Sequence, residues 1–275
     1  MITLKEIAKM AGVSSATVSK VINGKDEHIS ENTRQRVLDI VEREGYIPNG
    51  VAKSLRMQNT KTIGLIMPDV MNLFFSELAR GIEDAAEKRG YSVILCNTDN
   101  KGAKEEKYIK ILQEKKVDGI IITAAENSAG EFLKRCTIPV VLVDRDIELD
   151  RKLGCITVDN EKGAYIATNF LIKKGCKNIS YISSNKLSRP STERLSGYKQ
   201  ALMENGIEFQ EDITYFNNFK TETGYLGVLN VFKKNKTVDG IFCGNDLIAI
   251  GAIKALKERG IRVPEDVKVI GFDNI

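Results

Sequence analysis

Residues 3–24 read TLKEIAKMAGVSSATVSKVING, and no other stretch of the chain constrains its architecture as tightly. Thr3 offers a helix N-cap, and Glu6 three residues later completes a capping box. Leu4, Ile7, Ala8 and Ala11 recur at the i, i+3, i+4, i+7 spacing of a short amphipathic helix, which Gly12 breaks. Val13 reads as a buried turn residue and Ser14 as the cap of a second helix. That helix turns Val18, Val21 and Ile22 inward and stops at Asn23-Gly24. A third helix starts at Ser30, buries Val37, Ile40 and Val41, and ends near Gly45.

With that stripe inward, Ser15, Ala16, Thr17, Ser19 and Lys20 are left outside. Two short helices across a tight turn, the second with small polar and basic groups outward, make a helix-turn-helix arrangement. On spacing alone, a small helical bundle with no nucleic-acid role fits equally well. In the helix-turn-helix reading, Ser15, Ala16 and Lys20 approach base edges. Lys20 carries most of the discrimination, because a lysine can donate to guanine O6 and N7, a contact worth ~1–3 kcal/mol. Ser14, Thr17, Asn23 and Arg34 are expected to hold phosphates, which sets register without reading sequence.

From Thr62 onward short apolar strands alternate with longer amphipathic helices, the grammar of a mostly parallel sheet covered on both faces. Strands are predicted at 63–67, 92–96, 119–122, 140–143, 156–158, 179–182, 240–243 and 267–271. Helices are predicted at 75–88, 104–114, 162–174, 193–204, 222–232 and 247–258. Val117-Asp118-Gly119-Ile120 is echoed by Val238-Asp239-Gly240-Ile241, and Arg89-Gly90 by Arg259-Gly260. Two related α/β lobes follow, with a ligand cleft expected at the carboxyl ends of their strands.

Composition narrows the function. The 275 residues exceed one ordinary domain, and 42% apolar with 28% charged residues is the balance of a folded globular protein. No apolar run approaches the ~18 residues of a membrane span, and no signal-type core follows Met1, so a cytoplasmic protein without a membrane partner is expected. Five scattered cysteines, none in a C-x-x-C pair, suggest reduced and mostly buried thiols. The only histidine, His28, lies in a polar segment, which removes Ser-His-Asp triads and H-E-x-x-H zinc sites. Neither an enzyme nor a bound cofactor or metal is expected. A net charge of +4 alone would not point to DNA.

Leu4-Lys5-Glu6-Ile7-Ala8, Ala11-Gly12-Val13-Ser14 and Thr17-Val18-Ser19-Lys20-Val21-Ile22-Asn23 resemble the signature of the lactose/galactose repressor family. Thr33-Arg34, Gly45-Tyr46, Asn49 and Ala52-Lys53-Ser54-Leu55 continue the resemblance. It implies an all-α helix-turn-helix domain followed by a two-lobed, periplasmic-binding-protein-like parallel-sheet sensor. The expected divisions are a DNA-binding domain at 1–48, a hinge and linker at 49–61, a first lobe at 62–158 and a second at 159–275. It also implies a homodimer on double-stranded operator DNA, repressing genes of carbohydrate metabolism. In that setting Asn49, Ala52 and Leu55 belong to a hinge helix, with Leu55 wedged into the minor groove. Read without the family, Val51, Ala52 and Leu55 are equally the buried stripe of a short fourth helix.

Beyond residue 60 the chain is most similar to sugar-sensing repressors and to the ribose-binding proteins that share their lobes. Pro68-Asp69, Asn72, Phe74 and Phe75 resemble the loop those proteins fold over a sugar, although one of the two phenylalanines is expected to be core. The resemblance assigns Asp144 and Arg145, at the end of Pro139–Val143, to sugar hydroxyls; alone, an adjacent charged pair after a strand reads as a solvated turn. Arg194, Phe219, Asn245 and Asp273 complete the set from the second lobe, Asn245-Asp246 and Asp273 lying at strand ends. The small-molecule effector implied is a pentose such as ribose, then a hexose or a purine. A periplasmic sugar-binding protein and a sugar-cleaving enzyme are the rivals. The first lacks a reason for the helix-turn-helix, and the second a marked general acid.

The family continues for roughly 50–60 residues beyond the Gly271-Phe272-Asp273-Asn274 motif, whereas this sequence stops at Ile275. The expectation is a sensor incomplete at its C-terminus, lacking a strand, a helix and one ligand contact, with exposed sheet edges and poor stability.

Overall fold

The computed structural model describes residues 2–48, 59–125, 130–147, 153–186, 188–233 and 237–275. The chain divides into two compact units, Met1–Thr60 and Lys61–Ile275. In the first unit α1 (Leu4–Ala11), α2 (Ser15–Ile22) and α3 (Glu31–Arg43) follow the sequence reading closely. Thr3 Oγ1 accepts from the Glu6 amide at 3.3 Å and Glu6 Oε2 accepts from the Thr3 amide at 2.7 Å, closing the capping box. Gly12 takes φ +66°, which a glycine adopts without a Cβ penalty. Ile7, Ala8, Ala11, Val18, Val21, Val37 and Ile40 form the core of this unit, with Val13 packed half-buried against it.

The second unit holds two parallel sheets. The first has order β2-β1-β3-β4-β5, from β1 (Thr62–Met67), β2 (Ser92–Asn97), β3 (Gly119–Ile122), β4 (Val140–Val143) and β5 (Gly154–Ile156). Helix α4 (Leu73–Glu87) packs Phe75 against Leu65 and Met67 on one face. On the other, α5 (Gly102–Glu114) and the short α6 (Gly130–Lys134) cover a core that includes Ile66, Leu112, Ile120 and Leu133. The second sheet has order β7-β6-β8-β9, from β6 (Ile179–Ser184), β7 (Thr214–Asn217), β8 (Gly240–Cys243) and β9 (Lys268–Ile270). Helices α7 (Asn160–Lys173) and α8 (Arg189–Glu204) cover one face around Tyr181, Tyr198 and Phe242. Helices α9 (Thr221–Lys233) and α10 (Asp246–Glu258) cover the other.

The structure corrects several boundaries. The fifth strand pairs as Val141 with Gly154, Leu142 with Cys155 and Val143 with Ile156, two residues before its predicted place. Residues 157–159 are taken instead by the entry to α7, where Asp159 Oδ1 accepts from the Lys162 amide at 3.0 Å. Helix α8 begins at Arg189 rather than 193, because Pro190 sits in its first turn, where a missing N–H costs nothing. Strand β7 and helix α6 were not expected; Thr-Tyr-Phe-Asn is too short and mixed to signal a strand without its neighbour β6. Cys96, Cys136, Cys176 and Cys243 are buried free thiols, and Cys155 is exposed.

Glycine sets how closely the helices of the second lobe approach. A Cβ on Gly197 would stand 1.9 Å from the Glu161 carbonyl oxygen and 2.9 Å from the Tyr165 amide nitrogen, so α7 and α8 touch backbone to backbone. Gly81, in α4, has open space around it. Gly197→Ala is therefore expected to destabilise the protein by about 1–3 kcal/mol, since backbone cannot yield as a side-chain tip can. Gly81→Ala is expected to stabilise it by about 0.5–1 kcal/mol through helix propensity. Paired chemical denaturation curves check both signs.

Candidate nucleic-acid interface and ligand cleft

In the first unit the second helix presents Ala16 and Lys20 exposed and Ser15 and Thr17 half-buried, while Val18 and Val21 face the core. Ser14 is already engaged as the cap: its Oγ accepts from the Thr17 amide at 3.1 Å and lies 2.9 Å from Thr17 Oγ1. Asn23 Nδ2 donates to the Ser19 carbonyl at 2.6 Å. Arg34 is paired with Asp26 at 2.8 Å and with Glu31 at 3.2 Å, so its guanidinium is oriented by two carboxylates of its own unit. Sequence spacing gave no sign of the Asp26 pair, because a loop brings it there. Asn49, Ala52 and Leu55 lie outside the described residues.

The second unit brings together all nine residues assigned to a ligand. Asn72, Phe74, Phe75, Asp144, Arg145, Arg194, Phe219, Asn245 and Asp273 line one cleft of about 160 Å³ between the two sheets. That is small beside the ~300–1,000 Å³ of sites that take drug-sized molecules. The cause is topological. Pro68 and Asp69 follow β1, Asn100 follows β2, and Asp144 and Arg145 follow β4. From the other lobe Ser184 and Asn185 end or follow β6, Asn218 and Phe219 follow β7, Asn245 follows β8 and Asp273 follows β9. Parallel strands point their carboxyl ends at the same place, so loops from both sheets meet there.

Two asparagines of the cleft are held by local structure as helix caps. Asn72 caps α4, its Oδ1 accepting from the Phe74 amide at 3.1 Å, and Asn245 caps α10, accepting from the Ile248 amide at 2.9 Å. Phe74 and Phe75 meet edge to face at 5.1 Å; Phe75 is the core member of the pair and Phe74 the more open one. Asp144 at φ +69° and Asp273 at φ +100° both occupy backbone regions that few non-glycine residues adopt.

Two arginines dominate the electrostatics. Arg145 is 8% exposed, and its Nη1 donates to Asn100 Oδ1 at 3.0 Å and to the Ala124 carbonyl at 3.1 Å. Its buried Nε makes no hydrogen bond and stands 3.7 Å from Asp144 Oδ2, too long for one. Arg194, 5% exposed, gives Nε to Asn160 Oδ1 at 2.9 Å and Nη1 to the Gly244 carbonyl, and its Nη2 is ion-paired with Asp273 Oδ1 at 3.5 Å. Its guanidinium also lies 3.7 Å from the Phe272 ring centroid. Burial pushes the Asp273 carboxyl up to about 7 against the pull of Arg194, with Asp246 and Asp144 adding to the rise. Burial likewise raises Asp144, opposed by Arg145 and Arg194. Sequence reasoning left out Asn100, Asn160, Ser184 and Asn218, single polar residues at strand ends and a helix start; Asn100 and Asn160 meet arginines distant in sequence.

Such a cleft supplies fixed donors, acceptors and aromatic faces around a small polar molecule. A two-lobed ligand domain in one chain with a helix-turn-helix defines the class of ligand-responsive DNA-binding regulators. Residues 3–49 match the model of "Bacterial regulatory proteins, lacI family", and residues 60–275 that of "Periplasmic binding proteins and sugar binding domain of LacI family". The HTH-type transcriptional regulator RegA of Clostridium saccharobutylicum is 40% identical over 275 residues, covering 99% of this chain and 82% of that protein. Among solved structures, a lac repressor dimer bound to operator and the anti-inducer ONPF is similar at TM-score 0.87 and 25% identity, covering 100% of this chain and 83% of that one. A complex of the transcriptional regulator CelR with cellobiose is similar at TM-score 0.72 and 28% identity, with the same coverage. The chain belongs to the LacI family: it is a DNA-binding transcriptional repressor, and its relatives are regulators rather than enzymes. Among the described residues no helix is long and apolar enough to cross a membrane.

Asp273 makes stability depend on pH. Between its folded value of about 7 and the ordinary carboxylate value near 3.8, the folded chain keeps a proton that the unfolded chain has lost. Its contribution therefore grows as pH falls through 7 and is complete near 4. Asp273→Asn should remove up to one proton from the pH slope of unfolding free energy between pH 5 and 7. Denaturant titrations across that range measure the difference.

Proposed function

We propose that the chain represses transcription as a homodimer in the cytoplasm, and that its effector is a small sugar, a pentose such as ribose before a hexose or a purine. The observation that carries the effector is the free Nε–H of buried Arg145, 3.7 Å from the Asp144 carboxylate. A donor and an acceptor side by side suit adjacent hydroxyls, which each donate and accept. Phe74 and Phe219 supply apolar faces for the C–H side of a sugar ring. The two lobes, 62–158 and 159–275, close on it, and closure alters the geometry that presents the hinge at 49–61 to DNA. Linkage requires only that the effector prefer one of the two geometries.

On DNA, each α2 lies in a major groove with Ser15, Ala16 and Lys20 at base edges, while Ser14, Thr17, Asn23 and Arg34 face phosphates. Asn49, Ala52 and Leu55 act in the minor groove between the half-sites. Arg34 reaches a phosphate by exchanging it for the carboxylates of Asp26 and Glu31.

Two outcomes follow. Lys20→Ala is expected to reduce the preference for operator over random duplex by about 5–150-fold, the equivalent of ~1–3 kcal/mol, while binding to random duplex changes little. Competition binding of the two duplexes at fixed salt measures it. Calorimetric titration with D-ribose, beside a panel of hexoses and purines, is expected to show saturable ribose binding that Arg145→Ala abolishes while the fold is retained. Saturation by a purine alone would overturn the sugar reading.

A further inference from the structure

Asn160 does not line the cleft, yet it is 3% exposed and occupies the first turn of α7, directly after the crossover from the first lobe. Its Oδ1 accepts from Arg194 Nε at 2.9 Å. Its Nδ2 donates to Glu193 Oε2 at 2.9 Å and to the Val158 carbonyl at 3.3 Å. The amide can stand only one way round, because flipping it would set donor against donor at Arg194 and acceptor against acceptor at Glu193. Glu193 Oε1 in turn accepts from Arg189 Nε at 2.7 Å, and Arg189 Nη1 lies 3.4 Å from Asp146 Oδ2, which belongs to the first lobe just beyond β4.

One chain of polar contacts thus runs from Asp273 and Arg194 in the cleft, through Asn160, Glu193 and Arg189, to Asp146 across the lobe boundary. Its inner and outer ends differ in burial. Arg194 and Asn160 are buried, where a broken contact leaves an unpaired polar group in low dielectric. The side chains of Arg189 and Asp146 are 53% and 44% exposed, and such a surface pair contributes little and parts readily.

We propose that Asn160 and Glu193 are positioning residues for effector binding, orienting Arg194, and that the contact between Arg189 and Asp146 makes this orientation depend on the apposition of the two lobes. The proposal rests on the cleft being the effector site, and its test uses the ligand-free full chain so that the two can fail separately. Arginine Nε–H signals are recorded by ¹H–¹⁵N correlation, with Arg194 and Arg189 assigned through Arg194→Lys and Arg189→Lys. Asp146→Asn, which removes a group not in contact with Arg194, is expected to shift the Arg194 Nε–H signal and speed its solvent exchange about threefold or more, the scale a surface ion pair can support. Glu193→Gln should act more strongly. Glu161→Ala, which frees Ser196 on the helix that carries Arg194 but lies outside the chain of contacts, should leave the signal in place. Raising salt to about 1 M on the unmodified protein screens the exposed pair and should move the signal in the direction that Asp146→Asn does, whether or not that variant folds. An Arg194 signal that stays fixed in high salt and in Asp146→Asn while the Arg189 signal moves would overturn the proposal, leaving Arg189 and Glu193 as a helix-surface pair only.

Discussion

Taking the Arg194 guanidinium out of water is the constraint around which the ligand domain is arranged. A buried charge is tolerated only where its donors are met and its charge is answered. Here the partners come from three places far apart in sequence: Asn160 at the start of α7, the Gly244 carbonyl after β8, and, after β9, Asp273 with the neighbouring Phe272 ring. All are available at once because parallel strands deliver their carboxyl ends to one line and the helix termini open beside them. Close backbone packing holds the frame. A Cβ on Gly244 would fall 2.1 Å from Ser183 Oγ, and one on Gly197 would enter the carbonyl of Glu161.

Arg145 answers the same problem differently. Its Nη1 is met by Asn100 and a backbone carbonyl, and its Nε is left unmet beside Asp144. A buried donor without an acceptor is costly in a free protein. At the proposed effector site a ligand oxygen would meet that donor, whereas the donors of Arg194 are met within the second lobe by Asn160, the Gly244 carbonyl and Asp273. Asp144 and Asp273, both in left-handed backbone at strand ends, bring carboxylates to the same space, and their mutual repulsion contributes to the raised proton affinity of Asp273.

Much of this could be read from residues alone, and the exceptions have physical causes. Capping boxes and i, i+4 stripes are local, so Thr3, Gly12, Ser14 and Ser30 marked the first unit's helices to within a residue. Apolar runs announce central strands, which is why β1, β3, β4, β6 and β8 were legible. Strand β7 was not, being a short edge whose identity depends on β6. The start of β5 slipped because the cap at Asp159 and the pairing with β4 compete for the same residues, and sequence does not weigh them. In the cleft, the charged and aromatic members stood out through family resemblance. Asn100 in the cleft and Asn160 behind it did not, because an asparagine after a strand or at a helix start is ordinary until an arginine from a distant segment reaches it. The pair between Arg34 and Asp26 was hidden in the same way.

The account holds that one molecule reads DNA at one end and is governed by a small polar effector at the other. The most direct measurement is selection of bound sequences from a random duplex pool by the full chain, run in parallel with and without saturating D-ribose. The account predicts enrichment of one two-fold symmetric site, as two recognition helices require, with a recovered fraction that differs between the two arms. Enrichment of a site whose recovery is identical in both arms would contradict the coupling to ribose, and no enriched site in either arm would contradict the account as a whole.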